Sequence, residues 1–288
     1  MLAIYEKELK TYFRTPSGPV FIGLFLMASA AIFIFLFLVN ATVEYNTYLT
    51  YVNLVFMMTT PILTMRTFSE ERKLKTDQML ITSPVKVSAI VSGKFLAAAT
   101  VFFVTLVIHS LDAIIISFFS TNMFFIDIFV AYIGLFLVGC TYIAIGILVS
   151  SMTESQVVSA IVTFAAMLLV FAVQWMTSSI SSSIAAGIIT CFVIALAITA
   201  LLYFTTKNWI ASLCVFVGLA AVIVAVILIN INLYAGLLNS IVTWFSVIER
   251  FYEFTSGSVS ISSLVYLISF PLALLYITVY QIEKRRWA

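Results

Sequence analysis

Long apolar stretches alternate with short polar segments along the whole sequence. A helix needs about 20 predominantly apolar residues to cross about 30 Å of hydrocarbon. Eight stretches meet or nearly meet this length, and among them only Asp112 carries a formal charge at neutral pH. These stretches are residues 20–39, 48–65, 95–119, 128–151, 157–176, 184–204, 209–231 and 264–282. Because the apolar runs are continuous rather than alternating, the pattern predicts an all-α integral membrane protein, a polytopic helical bundle.

The distribution of basic residues favours an even number of spans. With the N-terminus in the cytoplasm, every Lys and Arg except Arg250 falls on the cytoplasmic side, as the positive-inside rule requires. An odd number of spans would move the basic C-terminal tail outside. We predict eight spans, with residues 205–208 as a tight cytoplasmic turn, and six as the alternative if the hairpin of residues 184–231 does not span. Both termini are expected in the cytoplasm, and the protein in the cytoplasmic membrane.

Composition supports a membrane protein and argues against several other classes. Sixty-three per cent of the residues are hydrophobic and 9% are charged, and the mean hydropathy is +1.19. A soluble domain has about a quarter of its residues charged, so these charges could not coat a globule of this size. Membrane lipids are therefore expected to cover the surface, and no nucleic-acid partner is expected.

No catalytic motif is visible in the sequence. There is one histidine, no metal-ligand spacing and no pairing of a nucleophile with a base. The Gly93-Lys94 pair is not a phosphate-binding loop, because Ser88 and Phe95 stand where that motif needs Gly and Ser or Thr. We predict a protein that is not an enzyme and holds no cofactor or metal itself.

Residues 1–288 are predicted to form a single transmembrane domain, and three segments outside the spans have features of their own. Residues 1–18 predict an interfacial elbow helix, with one apolar side and a Pro-Gly end. Residues 233–262 predict an amphipathic or re-entrant helix on the outer side. The third segment is the charged loop of residues 66–94.

The loop of residues 66–94 predicts a short helix that begins at Glu70, Glu71 and Arg72, and its apolar side could be formed by Leu74, Met79 and Leu80. Two interpretations are open from the pattern alone. A solvated basic loop would only fix the topology, whereas a helix with an apolar edge could dock a cytosolic partner. The residues assigned to docking are Glu70, Glu71, Arg72, Leu74, Thr76, Met79, Leu80 and Pro84.

Residues 71–85, ERKLKTDQMLITSPV, and residues 90–95, IVSGKF, resemble the signature of ABC-2-type transporter permeases. The likeness is greatest to the branch of gliding motility and nitrous-oxide-reductase maturation. This sequence departs from that signature at Lys75, where glycine is usual, and at Met79, where leucine is usual.

The resemblance implies the permease subunit of an ATP-driven transporter, with export as the expected direction. It implies that the loop of residues 66–94 is a coupling helix that contacts a separate ATPase. Two copies of that ATPase would hold ATP and Mg²⁺, and a second permease copy or a homologous permease would complete the complex.

His109 and Asp112 stand three residues apart in the third span and are expected to share a helix face. They could line the pathway, or they could form a hydrogen-bonded pair that fixes helix packing. Pro61 in the second span is expected to kink its helix. The alternative function is an ion-coupled secondary transporter that uses the Asp112/His109 pair.

Overall fold

The computed structural model describes residues 1–39, 45–76, 85–117, 125–179 and 236–286, and scattered positions between residues 184 and 223. The chain forms two compact units. One unit comprises Met1–Val170 together with Val247–Ala288, and the other is Phe171–Ser246. The single permease domain expected for residues 1–288 stays a prediction.

Helices make up the secondary structure of the described residues. They are α1 (Leu2–Arg14), α2 (Ser17–Phe33), α3 (Tyr45–Thr64), α4 (Ser69–Lys73), α5 (Val87–His109), α6 (Leu111–Ser117), α7 (Phe125–Met152), α8 (Gln156–Ser179), α9 (Leu237–Phe245), α10 (Val247–Thr255) and α11 (Ile261–Arg286). A π-helical segment, Ile34–Val39, extends α2. The prediction of an all-α polytopic bundle is confirmed.

Six helical stretches among the described residues are long and apolar enough to cross a membrane. They are Ser17–Phe37, Tyr45–Lys73, Val87–Ile116, Ile126–Met152, Gln156–Trp175 and Ile261–Arg285. These six correspond to six of the eight predicted spans.

The two other predicted spans, residues 184–204 and 209–231, lie largely outside the described residues. Where the structure describes them, their residues are helical, and Ala195 and Ile223 are buried in one cluster. Partly buried residues from both stretches, Phe192 and Leu219 among them, pack against this cluster. The predicted turn at residues 205–208 is not described, so the choice between eight and six spans stays a prediction.

The core of the first unit forms around α3. In the most apolar part of the span that contains α3, 67% of the residues are buried, whereas 22% are buried in the span that contains α2. The rings of Phe56 on α3 and Phe102 on α5 stack with centroids 3.7 Å apart, and Tyr142 on α7 stacks on Phe56 at 6.0 Å. Aromatic pairs of this kind stabilise a core beyond the area they bury. The most buried span is therefore the one that several neighbours enclose.

Two glycines allow α7 to approach its neighbours closely. A Cβ at Gly146 would lie 2.1 Å from Oγ1 of Thr64 on α3, and one at Gly139 would lie 2.1 Å from Cε1 of Phe102 on α5. Neither distance is sterically permitted. Small residues let helix backbones approach in membranes, where no hydrophobic force drives helices together.

The first unit has two ends, which the polar contacts identify. At one end, which we call the basic end, Tyr12 of α1 donates a 3.0 Å hydrogen bond to the carbonyl of Leu63 near the end of α3. At the opposite end, Asn46 near the start of α3 donates to the carbonyl of Thr255 in α10, at 2.6 Å. The 20 residues of α3 separate the two ends by about 30 Å, since a helix rises about 1.5 Å per residue.

The elbow helix α1 packs on protein with part of its predicted membrane-facing side. Tyr5 is hydrogen-bonded to Thr100 of α5 at 3.1 Å, and Tyr12 is buried against α3. Leu2 and Phe13 remain exposed and are the apolar residues left for lipid. The tyrosines bind protein because their hydroxyls find partners there.

The outer segment differs from the single helix that its spacing suggests. It forms two helices, α9 and α10, and the backbone of Ser246 between them is extended. In α10 the apolar residues, including Ile248, Phe251 and Phe254, are buried in the first unit. The apolar periodicity of this part of the segment therefore reflects packing on protein.

We expect Thr76 and Ser256 to lie on opposite faces of the membrane, because one follows α4 at the basic end and the other follows α10 at the opposite end. In a chain without its native cysteines, Thr76→Cys and Ser256→Cys should react with a membrane-impermeant maleimide from different sides. Both side chains are exposed, so access does not limit the reaction. Labelling of both from the same side of intact cells would contradict this arrangement.

Candidate functional site

A buried lysine links three helices at the basic end. The Lys94 side chain, on α5, is 1% exposed, and its Nζ lies 2.9 Å from Oε1 of Glu8 on α1 and 3.0 Å from Oε1 of Glu71 on α4. The same Nζ donates to the carbonyl of Thr67 at 2.8 Å, and the ring of Phe68 lies 5.0 Å away. An ammonium has three N–H donors, so these oxygens use all of them. A buried charge needs such pairing, because its desolvation costs several kcal/mol.

Two other charged residues of α4, Glu70 and Arg72, also form ion pairs within the chain, whereas Lys73 is exposed. Arg66 binds Glu70 in a bidentate pair, with Nε–Oε2 at 2.8 Å and Nη2–Oε1 at 2.7 Å. Arg72 donates to the carbonyl of Ser151, just before the end of α7, at 3.2 Å and to Glu154 at 2.9 Å. Planar guanidinium groups suit such two-point contacts. Glu70 and Arg72 therefore attach α4 to the segment before it and to the end of α7.

Ser150 of α7 holds the first residues of α4 in place. Its Oγ accepts hydrogen bonds from the backbone N–H groups of Phe68 and Ser69, at 3.0 and 3.1 Å. It donates in turn to the carbonyl of Met65 at 3.2 Å. The first N–H groups of a helix lack partners within the helix. The N-terminal cap of α4 thus comes from another helix, which sets its position relative to α7.

A Schellman motif ends α4. The N–H of Thr76 bonds to the carbonyl of Glu71 at 2.9 Å, and the N–H of Lys75 to that of Arg72 at 3.0 Å. Lys75 is left-handed, with φ of 56°. Glycine is favoured at this position of the motif, since a Cβ is strained there. The departure from the signature noted in the sequence, Lys75 in place of glycine, thus falls at the one residue of this turn with positive φ.

The structure separates the predicted docking residues into two groups. Glu70, Glu71 and Arg72 turn toward the bundle and bind Arg66, Lys94 and Glu154. Leu74 is 65% exposed, and Thr76 is exposed beside it. Met79, Leu80 and Pro84 lie outside the described residues. Leu74 is therefore the most exposed large apolar side chain in the described part of this loop.

At the opposite end, a chain of hydrogen bonds crosses four helices. Tyr45 and Tyr48 of α3 bind Tyr132 of α7 and Asp112 of α6, and His109 at the end of α5 lies between them. The Oη atoms of Tyr45 and Tyr132 are 2.9 Å apart, and Tyr132 Oη is 2.8 Å from Nδ1 of His109. Tyr48 Oη is 3.0 Å from Nε2 of His109 and donates to Oδ2 of Asp112 at 2.8 Å.

The expected His109–Asp112 hydrogen bond is replaced by a bridge through Tyr48. Nε2 of His109 and Oδ2 of Asp112 are 3.7 Å apart, too far for a hydrogen bond. α5 ends at His109 and α6 begins at Leu111, and both residues belong to the helical stretch Val87–Ile116. Both bind the hydroxyl of Tyr48 instead of each other.

The donors and acceptors of this chain assign its polarity. Because Tyr48 donates to Asp112, it accepts from Nε2–H of His109. Nδ1 then accepts from Tyr132, and Tyr132 accepts from Tyr45. The carbonyl of Ser29, 3.4 Å from the Tyr48 oxygen, is a more distant acceptor. Every bond points toward Asp112 with a neutral imidazole, so the arrangement satisfies buried polar groups and joins helices without requiring a charge on His109.

Pro61 lies inside α3 and is buried. The hydroxyls of Thr59 and Thr60 donate to the carbonyl of Phe56 one turn earlier, at 3.2 and 2.7 Å. These bonds go to the carbonyl one residue before that of Met57, which is the carbonyl that lacks a backbone donor because residue 61 is proline. Within the described residues, no three His, Cys, Asp or Glu side chains are placed to hold a metal ion.

The sequence matches the family described as ABC-2 family transporter protein over residues 2–185, more than half of the chain. The chain belongs to the ABC-2 transporter family. This confirms the resemblance carried by residues 71–85 and 90–95. The protein is therefore a membrane permease subunit of an ABC transporter. A comparison with curated proteins finds no match.

A second charged cluster of this ABC-2 permease joins α10 to the start of α11. Oε2 of Glu253 accepts from the hydroxyls of Ser260 and Ser263, each at 2.6 Å, and Arg250 lies 3.4 Å from Oε1. Burial alone would raise the pKa of Glu253, but the bonds from Ser260 and Ser263 and the charge of Arg250 lower it below its usual value. A carboxylate beside a helix N-terminus is also favoured by the helix dipole. This cluster explains why Arg250 stands apart from the other basic residues.

Several residues of the ABC-2 permease that make these contacts were not singled out in the sequence. Lys94 stands at the edge of an apolar run, and a lysine so close to a predicted span is a signal that it needs partners. Tyr45, Tyr48 and Tyr132 carry no comparable signal, because tyrosine is common at membrane interfaces. Their contact with His109 depends on how α3, α5 and α7 pack.

We expect Lys75→Gly to stabilise the ABC-2 permease, because glycine adopts the left-handed conformation without strain. The gain should be about 1 kcal/mol, since that conformation costs other residues about 1–2 kcal/mol and glycine loses part of this in entropy. Unfolding in mixed micelles measures the change. Lys73→Gly, inside α4, is the matched control and should destabilise; a loss of stability in both variants would contradict the assignment.

Tyr48→Phe should destabilise the bundle, because it removes the donor to Asp112 and the acceptor for His109 together. We expect a loss of about 1–3 kcal/mol, the usual range for buried polar groups left unpaired. Equilibrium unfolding in mixed micelles measures it. The control is Tyr276→Phe on α11, where the side chain is 74% exposed. An equal effect of the two substitutions would show that the hydrogen-bonded chain adds no stability.

Proposed function

We propose that this permease works with a separate ATPase that docks on the basic end of the bundle. The observation that carries the proposal is the arrangement of α4. Three of its charged residues, Glu70, Glu71 and Arg72, are paired within the chain, its N-terminus is capped by Ser150, and Leu74 is 65% exposed at its C-terminal end. A short helix that is capped by α7 at its N-terminal end and closed by its own Schellman motif presents Leu74 just beyond the stretch Tyr45–Lys73.

The chemistry of this surface suits a protein partner. Lys73, Lys75 and Thr76 are exposed around Leu74. Burial of one such leucine contributes about 1.5–3 kcal/mol, whereas exposed charge pairs at the rim contribute about 0–1 kcal/mol. In a contact of this kind, the apolar residue contributes most of the affinity, and the surrounding charges set the orientation of the partner.

The remaining parts of the proposal follow from the resemblance and the charge distribution. Two ATPase copies would bind ATP and Mg²⁺, and a second permease copy or a homologous permease would complete the transporter. We propose that the basic end faces the cytoplasm, that the protein resides in the cytoplasmic membrane, and that it exports its substrate. The gliding-motility and nitrous-oxide-reductase-maturation branch stays a prediction.

The chain that contains His109 and Asp112 supports a packing role rather than ion coupling. Its bonds are complete with a neutral imidazole, and they join α3, α5, α6 and α7. We therefore propose that the secondary-transporter alternative does not describe this protein, and that Pro61 is a tolerated proline within α3.

Leu74→Asp should weaken the binding of the ATPase while leaving the permease folded. Loss of the apolar contact and burial of a charge should reduce affinity by about 10-fold or more. Co-purification from membranes, followed by ATP hydrolysis in nanodiscs, measures the effect. Val259→Asp is the control, because Val259 is exposed at the opposite end. If Leu74→Asp and the control retain equal amounts of ATPase, docking does not occur through Leu74.

A further inference from the structure

We propose that Lys94 is a positioning residue that makes α1, α4 and the first turns of α5 one rigid unit, so that α5 and the elbow helix follow any movement of the loop. Only one part of this inference rests on the proposed function, namely that an ATPase is what moves the loop. The rigid unit itself is a property of the permease alone.

The geometry supports one unit rather than three separate contacts. The three acceptors of Lys94 come from Glu8 of α1, Glu71 of α4 and the carbonyl of Thr67 just before α4. Each helix therefore reaches α5 through the same nitrogen atom. Because this nitrogen has no further donor, neither α1 nor α4 can move away without leaving a buried charge short of a partner.

Neutral contacts around Lys94 reinforce the same three elements. A Cβ at Gly93 would lie 3.1 Å from Cγ2 of Ile4, so α1 rests closely on α5 at the residue before the lysine. Tyr12 of α1 is bonded to the carbonyl of Leu63 and lies 3.3 Å from Oγ1 of Thr67. Burial raises the pKa of Tyr12 above its usual value, so the hydroxyl stays protonated and remains a donor.

The charges balance within the cluster. Lys94 and Lys7 face Glu8 and Glu71, with Lys7 3.8 Å from Oε1 of Glu71 and largely exposed. Glu71 is the member of this cluster that belongs to α4. Replacing Glu71 by glutamine breaks the ionic link to α4 but leaves Lys94 paired with Glu8. The variant therefore tests the link without leaving a buried ion alone, which would cost much more.

The test measures the distance between α1 and α4 in the permease alone. Arg14→Cys and Lys73→Cys, in a chain with Cys140, Cys191 and Cys214 replaced by alanine, carry nitroxide labels in lipid nanodiscs. Pulsed electron–electron double resonance should give a narrow distribution of the distance between the two nitroxides in the labelled parent. With Glu71→Gln we expect it to broaden by about twofold, since α4 loses its charged tether.

The matched control is Glu6→Gln, which breaks the exposed pair of Glu6 and Lys10 within α1. An exposed pair constrains little, so this variant should keep the parent distribution. If Glu71→Gln matches the parent and the control, the inference is overturned. Should Glu71→Gln not give a monodisperse protein, the triple variant Glu8→Gln, Glu71→Gln, Lys94→Met replaces it, and an unbroadened distribution there overturns the inference equally.

A second arm separates this inference from the proposed function. In the complex with the co-purified ATPase, ATP with vanadate should leave the Arg14–Lys73 distance of the parent unchanged and should shift it in Glu71→Gln. A nucleotide-dependent distance in the parent would overturn the rigid unit. Because residue 73 lies beside Leu74, the presence of the ATPase is judged on the purified permease without labels, and its absence there would instead overturn the proposed function, while the nucleotide-free distances would still decide the role of Lys94.

Discussion

The need to pair polar groups that leave water decides which helices of this permease meet at each end of the bundle. At the basic end, the ammonium of Lys94 collects oxygens from α1, α4 and the segment before α4. At the opposite end, Tyr48 joins His109 to Asp112. Between these ends the contacts are mostly apolar and aromatic. They pack the helices closely but do not select which helices become neighbours. The polar ends therefore specify the arrangement that the apolar middle fills.

This division has a consequence for how the ABC-2 permease works. Most of the charges of α4 are directed into the bundle, and its C-terminal end presents Leu74 outward. A helix arranged in this way can receive a force on its exposed side and pass it through charged contacts on the other side. A loop that only recorded topology would need neither the cap from Ser150 nor the buried partners. If an ATPase docks on α4 as we propose, the residues that hold α4 in place would also transmit its movement.

The sequence predicted much of the fold and part of the site. Apolar length identified six spans that the structure describes, and the run of residues 71–95 indicated the ABC-2 family that the comparison confirms. It did not predict that Glu71 would face Lys94, because helical spacing alone does not say which side of a short helix meets a neighbour. It placed His109 and Asp112 in one span, but it did not predict that the hydroxyl of Tyr48 would lie between them.

Apolar length, charge distribution and the loop motif are local properties, and the sequence by itself determined what depends on them: the helical membrane class, the position of the loop and the family. Tertiary structure alone decided the partners of the charges. Lys94 and Glu8 are 86 residues apart, and Arg72 and Glu154 are 82 apart. Such pairs form only when the spans pack, and the packing depends on close approaches such as Gly146 against Thr64. No local pattern encodes those approaches, because they depend on the shapes of two helices together.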